Sequence, residues 1–223
     1  SAAVAERLWD GWLCGGVRRA VEQASSTPED TRRLFIFLAA AHDIGKATPV
    51  FQAKSSAYIP LDLDLRIGES ILAAGLPTRP FREFSHPSAS PHAFATQLLL
   101  RREGVSEQVA AILGAHHGKP ASGFSIVNHP IEAHPTNYHM GPIGREAWTS
   151  VQRELLQSAL QMAGFEAPEK LPVPNLSAQV LLSGLLIMAD WIASNERLFP
   201  YIRIEDNVRR LDSQARADVA WEK

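Results

Sequence analysis

The chain has 223 residues, enough for one good core or a core with a small appendage. Hydrophobic residues make up 45% and charged residues 21%, the balance of a globular chain rather than a disordered one. A net charge of −2 argues against a broad phosphate-binding surface of the kind that grips DNA non-specifically. A nucleic-acid enzyme is still compatible with that charge, because bound metal ions supply local positive charge, although a long strand would then need help from another domain or partner. The single cysteine, Cys14, excludes an intrachain disulfide and a Cys-rich zinc site. No uninterrupted apolar run reads as long enough to span a membrane, and no basic segment followed by a short apolar stretch opens the chain. No membrane partner is expected, and a cytoplasmic location is the default expectation.

The chain begins at Ser1, not Met, already inside an amphipathic pattern: Val4, Leu8 and Trp9 share one helical face, and Trp12 or Leu13 extends it. The natural protein is expected to be longer at this end. Thr27-Pro28-Glu29-Asp30 is a helix start, with a hydroxyl N-cap, Pro at the first position and acids in the first turn. That helix runs through Leu34, Phe35, Leu38 and Ala41, carries His42-Asp43 at its C-terminal end and stops at Gly45. Thr48-Pro49 opens a short helix with Phe51. Residues 55–90 read as loop with one short helix near Glu69 to Ala74.

Ser90-Pro91 starts a helix from His92 to Arg102, ended by Gly104, and Ser106-Glu107 starts the next, with Val109, Ile112, Leu113 and His116 on one face. The stretch from Gly118 to Pro142 is rich in Gly, Pro, His and Asn and long for a loop, as functional segments often are. A helix from about Ile143 to Ala163 stops at Gly164. Ser177 to Asn195 is the most buried helix by composition, because Leu181, Leu182, Leu185, Leu186, Ile187 and Met188 cover most of its circumference. A last amphipathic helix covers Ile204 to Val219. No strand alternation, repeat or linker stands out, so the fold class is all-α, a single domain over residues 1–223.

The pair His42-Asp43 is the most informative feature. A carboxylate at the end of an apolar helix is costly to bury unless it is paired or binds a metal, and the imidazole beside it offers a second ligand. With His92, His116, His117 and Asp190 it makes a His/Asp set that suits Mn, Fe, Co, Ni or Zn better than Mg. Two ions sharing one carboxylate would activate water and clamp the oxygens of a phosphoester; Asp43 is the obvious bridge. Lys46, three residues on, could contact the scissile phosphate.

Each residue also has a structural explanation. Alone, His42-Asp43 could equally be a helix-end His with a solvated Asp. His116-His117 could be a helix end favoured by the dipole, the stronger reading for that pair in isolation. His92 is weak by itself, Lys46 is more often a surface lysine, and Asp190 in Met188-Ala189-Asp190-Trp191-Ile192 could pair with an Arg. His86, His129, His134 and His139 read as polar loop residues that could line a channel.

The set, in this order, resembles the HD superfamily of metal-dependent phosphohydrolases, an all-α helical bundle with an H…HD…D ligand core. His42-Asp43-Ile44-Gly45-Lys46 with Phe51-Gln52, then His116-His117-Gly118, then Ala189-Asp190-Trp191-Ile192-Ala193-Ser194-Asn195 resemble more closely the HD nuclease domain of the CRISPR-associated helicase–nuclease of type I systems. The segment from Trp191 to Asn195, followed by Leu198-Phe199-Pro200, is most similar to the subtype I-E branch. The resemblance implies that His42, Asp43 and Asp190 hold one divalent transition-metal ion and that His92, His116 and His117 hold a second, with Asp43 shared. It further implies a single-stranded DNA substrate exposed by a guide-RNA surveillance complex, and a helicase domain in the same polypeptide.

The chain carries no Walker A motif and reads as the nuclease domain alone. The family has a further His upstream of the HD pair; no His precedes His42 here, and Ser1-Ala2-Ala3-Val4 resembles the segment just after that ligand. His86 is the alternative to His92. His92 is preferred because an N-terminal helical turn fixes a side chain better than a Pro-flanked loop. Two other functions compete with the nuclease: an HD phosphohydrolase acting on a small nucleotide, which would need a closed pocket, and a degenerate HD module used for docking a partner.

Overall fold

A computed structural model describes residues 1–23, 27–56, 62–121, 130–202 and 212–222. Every regular element among them is helical, so the all-α expectation holds. In chain order they are α1 (Ala2–Arg7), α2 (Gly15–Gln23), α3 (Pro28–Ala41), α4 (Pro49–Gln52), α5 (Asp62–Ala73), α6 (His92–Arg102), α7 (Glu107–Gly114), α8 (Pro135–His139), α9 (Arg145–Ala163), α10 (Leu176–Ala193) and α11 (Ser213–Trp221). Short 3₁₀ turns and one π-helical turn, Leu8–Trp12, connect them.

The centre of the bundle is α3. Its start follows the capping chemistry of its sequence: the Thr27 hydroxyl accepts from the Asp30 N–H at 3.1 Å, with Pro28 in the first turn. Thr31 and the run from Leu34 to Ala39 are then buried on all sides, because α1, α2, α7, α9 and α10 pack around it. Trp9 joins this core, with its ring centroid 5.9 Å from that of Phe35. Val4, Leu8 and Leu13 are buried as their periodicity requires, whereas Trp12 is exposed. A second, smaller apolar cluster of Val50, Ala53, Phe84, Met140 and Trp148 fixes α4 beside the end of α3. The Trp148 indole completes it by donating to the Pro77 carbonyl at 2.8 Å.

Several expectations are corrected. The helix near Glu69 begins earlier, at Asp62. The Gly118–Pro142 stretch contains α8 and a 3₁₀ turn at Ile131–Ala133, and its residues 122–129 lie outside the described ones. The N-terminal part of the Ile204–Val219 helix also lies outside them, and the observed helix is α11. The helix α2, absent from the sequence reading, packs on α3 and α10.

α10 is not the most buried helix. Leu182, Leu186, Ala178 and Ala189 face the core, but Leu176, Val180 and Trp191 stand on the opposite side at 74%, 66% and 72% exposure. By length and a mean hydropathy of 1.6 it also meets the composition of a membrane span, contrary to the expectation from uninterrupted runs. Composition counts apolar residues and cannot see that the helix divides them between a core face and an open one.

The feature that positions the site is the junction of α3 with α6. After His42 the chain makes a 3₁₀ turn, Ile44–Lys46, that lies against the first turns of α6. The fit is close enough that a Cβ on Gly45 would run into the His92 carbonyl and come within 2.6 Å of the Thr96 nitrogen. The buried Thr96 hydroxyl accepts from the Gly45 N–H at 2.8 Å and has the carbonyls of His42 and His92 at 2.9 and 3.0 Å. Thr96→Val keeps the shape and strands the Gly45 N–H, so it should destabilise the fold by about 1–3 kcal/mol. Urea denaturation checks this; a midpoint unchanged from the parent would show that the hydroxyl does not hold the junction.

Candidate metal centre

Four helix ends meet at one place. α3 delivers His42 and Asp43, the turn after α7 delivers His116 and His117, the last turns of α10 deliver Asp190, and the first residue of α6 is His92. Their donor atoms fall into two groups: His42, Asp43 and Asp190 in one, His92, His116 and His117 in the other. In the first, His42 Nε2 lies 3.2 Å from Asp190 Oδ1 and 3.3 Å from Asp43 Oδ2. In the second, His92 Nε2 lies 2.9 Å from His117 Nε2 and 3.3 Å from His116 Nε2. Asp43 joins the groups: Oδ1 lies 3.5 Å from His92 Nε2 and 3.8 Å from His116 Nε2, while Oδ2 faces His42. The rings of His42 and His116 are edge to face, with centroids 5.1 Å apart. Lys46 caps Asp43 from the open side, with Nζ 2.6 Å from Oδ2.

The donor set fits a divalent cation, and the tautomers say why. His42 Nδ1 lies 3.0 Å from the Ala39 carbonyl and His116 Nδ1 lies 2.7 Å from the Leu113 carbonyl. A carbonyl only accepts, so each Nδ1 carries the proton and, in the neutral ring, each Nε2 presents a lone pair to the centre. The carbonyls thereby act as the outer partners that orient metal-binding imidazoles. Three imidazole nitrogens facing one another, and a fourth facing two carboxylates, are an arrangement that a cation between them satisfies.

The electrostatics agree. Burial opposes charge on His42, but the hydrogen bonds and charges of Asp190 and Asp43 outweigh it and raise its pKa to about 9. Burial would raise Asp43, yet His42 and Lys46 hold it well below the usual carboxylate range. Asp190 is lowered chiefly by its hydrogen bond with His42, and Ser194 Oγ adds a contact at 3.2 Å. Burial pushes His92 down to about 4 and lowers His116 as well. Ala2 and Ala3, at the start of α1, line one cavity with His42, Ala193 and Ser194, so the start of α1 borders the first group.

All seven residues expected at the site, His42, Asp43, Lys46, His92, His116, His117 and Asp190, are brought together. The alternative ligand His86 is elsewhere: its ring packs on His134 at 5.7 Å and its carbonyl accepts from Asn137. His139 is buried on α8 rather than held in a loop, with Nδ1 3.3 Å from the Gly141 carbonyl. His129 lies outside the described residues. Sequence reasoning missed Thr96 and the part Gly45 plays, since Gly45 reads equally well as a helix stop. Gln97 was missed too: it fills the space beside Gly114, where a Cβ would meet its side chain, and its Oε1 accepts from the Ala121 N–H at 3.2 Å.

A helical bundle with this His/Asp set defines an HD-type metal site. The chain belongs to the family described as "Cas3, HD domain", whose model matches residues 1–199. It is 37% identical over 219 residues to the CRISPR-associated nuclease/helicase Cas3 of Streptococcus thermophilus, a match covering 95% of this chain and 24% of that protein. It is 33% identical over 183 residues to the CRISPR-associated endonuclease/helicase Cas3 of Thermus thermophilus, covering 74% of this chain and 17% of that one. The chain thus spans a quarter or less of the length of these relatives. Among solved structures, the crystal structure of the Thermus thermophilus cas3 HD domain in the presence of Ni2+ is similar, with a TM-score of 0.63 and 26% identity, covering 99% of this chain and 78% of that one.

The raised pKa of His42 has a measurable consequence. Near pH 7.5 the metal-free His42 ring is protonated, and a divalent ion entering the His42–Asp43–Asp190 group must displace that proton. Affinity there should rise with pH, by up to about tenfold per unit between about pH 7.5 and 9, with close to one proton released per ion. Calorimetric titration with Mn2+ in buffers of different ionisation enthalpy counts the protons. Asp190→Ala, which keeps the three-histidine group, should lose this pH-dependent component; binding without proton release in the parent would contradict the assignment.

Proposed function

We propose that this chain is a metal-dependent nuclease domain that hydrolyses phosphodiester bonds of single-stranded DNA in CRISPR interference, with endonuclease or exonuclease action. The observation that carries the reading is the placement of Asp43, one carboxylate oxygen turned to each donor group. His42, Asp43 and Asp190 would hold one divalent transition-metal ion and His92, His116 and His117 a second, with Asp43 shared and Mn, Fe, Co or Ni favoured over Mg by the nitrogen-rich donors. Such ions, when bound, activate water for attack on phosphorus and stabilise charge on the phosphate oxygens. The chain's own residues do the rest. The Ala39 and Leu113 carbonyls keep the Nε2 lone pairs of His42 and His116 directed inward. Lys46, 42% exposed in its side chain, holds an ammonium at the open face of Asp43, where it can meet the scissile phosphate.

Openness favours a strand over a small nucleotide. His117 is exposed and Lys46 half-exposed at the mouth of the centre, so the metal groups face a surface rather than a closed nucleotide pocket. The convergence of His42, Asp43, His92, His116, His117 and Asp190 speaks against a degenerate docking module. The relatives are named nuclease/helicases, and this chain matches only part of their length. We therefore read it as the nuclease portion of a longer cytoplasmic polypeptide of subtype I-E that includes a helicase and works with a guide-RNA surveillance complex. The exposed apolar stripe of α10 supports that reading, being surface of the kind an adjoining domain covers.

The test uses circular single-stranded DNA, which reports endonuclease action directly, and the metal-stripped chain supplied with Mn, Co, Ni or Mg in turn. Cutting should depend on the transition metals and be weaker with Mg. Asp43→Ala should lower it at least about a hundredfold, at or beyond the loss caused by removing an outer-shell partner, while helicity by circular dichroism is retained. Undiminished metal-dependent cutting in Asp43→Ala, or equal activity with Mg, would remove this cluster from the reaction.

A further inference from the structure

Phe51 belongs to the sequence signature but not to the metal groups, and its surroundings give it a use. Val50 and Ala53, on either side of it, are buried in the smaller apolar cluster, so α4 is anchored from below. Gln52 Nε2 ties the same turn to the Lys46 carbonyl at 2.8 Å. Phe51 itself is partly exposed and walls the three-histidine group: its ring meets His92 edge to face, with centroids 5.4 Å apart. Two ammonium groups lie over this ring, Lys46 Nζ at 5.9 Å and Lys54 Nζ at 4.5 Å from its centroid.

The two lysines differ in what else holds them. Lys46 is committed to Asp43 at 2.6 Å. Lys54 is exposed, and among the described residues no carboxylate pairs with it; the aromatic face is its contact. Several cations elsewhere on the surface are paired with acids, Arg32 with Asp10, Arg101 with Glu107, Arg145 with Glu132 and Arg153 with Glu103, while Arg79 over Phe84 and Arg216 over Phe199 also rest on aromatic rings, though not on the one that meets His92. An unpaired ammonium resting on an aromatic at the rim of a phosphodiester-cleaving centre has the two components from which single-strand grooves are built, a cation for the backbone and a π-face for a base.

We propose that Phe51 and Lys54 form a substrate subsite beside the metal centre for the nucleotide next to the scissile phosphate. Lys54 leaves the ring to take that nucleotide's phosphate, and the face it vacates stacks the base. The contact is to backbone and π-face, so the subsite accepts any base and requires a strand with at least one further phosphate. This inference rests on the nuclease reading and adds the part of the substrate that the metal groups do not touch.

The experiment compares two substrates in Mn2+: an oligothymidylate, and bis(p-nitrophenyl) phosphate, a diester with no neighbouring nucleotide. For Lys54→Ala and Phe51→Leu, the ratio of kcat/KM for the oligonucleotide to that for the small diester should fall about tenfold, within the range of one lost stacking contact or phosphate contact. The change should sit mainly in KM, and Lys54→Arg should restore it. Fluorescence anisotropy of labelled oligothymidylate should show weaker binding by Lys54→Ala and a salt slope reduced by about 0.7, the value for one phosphate on a single strand. An unchanged ratio and unchanged anisotropy in both variants would overturn the subsite. The binding assay needs no turnover, so it separates two failures: a parent that binds the strand through Lys54 without cutting either diester refutes the nuclease reading and leaves the subsite standing, whereas a parent that neither binds nor cuts overturns both.

Discussion

The Thr96 hydroxyl and the bare Cα of Gly45 hold together the two helices that supply His42, Asp43 and His92. His42 and Asp43 leave α3 in one direction, His92 enters from α6 in another, and the two helices are distant in sequence. Only because Gly45 lacks a side chain can the turn after α3 lie on the backbone of α6. Only because Thr96 supplies a hydrogen bond to that turn can a backbone N–H be buried there without penalty. The result is a fixed distance between His92 and Asp43, which is what allows one carboxylate to face two donor groups.

A second device repeats at two helix ends. His42 and His116 each stand at the C-terminal end of a helix and each lies against the carbonyl three residues earlier, Ala39 or Leu113. The last carbonyls of a helix have no N–H partner of their own. Here they orient an imidazole, and the partial negative charge at those ends favours a cation in front of them. Asp190, near the end of α10, adds a third such terminus. His92 alone comes from a helix N-terminus, and its lowered pKa keeps that ring neutral and able to donate its lone pair.

Much of this was legible in the sequence for definable reasons. The cap at Thr27, the helix start at His92 and the stop at Gly164 are written in local chemistry, and the structure reproduces them. Convergence of the histidines and aspartates was legible because carboxylates and imidazoles in apolar helices demand partners, and the resemblance supplied their pairing. What was not legible depends on packing. Gly45 has the same letter whether it ends a helix or lets another backbone approach. The helix α2 begins with Gly15-Gly16, a poor helix start that masks the i, i+3, i+4 pattern of Val17, Ala20 and Val21 behind it. The open face of α10 is invisible to composition because only its neighbours decide which leucines are covered.

The charge distribution links the fold to the chemistry. Most of the arginines resolved in ion pairs are matched by acids at the surface, where each pair contributes little to stability and leaves little net field. The metal-free centre is different. Asp43 and Asp190 are held ionised there, and the nearby positive charge is a protonated His42 and Lys46. A divalent ion held by His42, Asp43 and Asp190 would replace the His42 proton with two charges, a gain of about one net positive charge at the centre. On the proposed nuclease reading, a chain with a net charge of −2 would thus gain attraction for phosphate at the His/Asp centre itself when metal is bound.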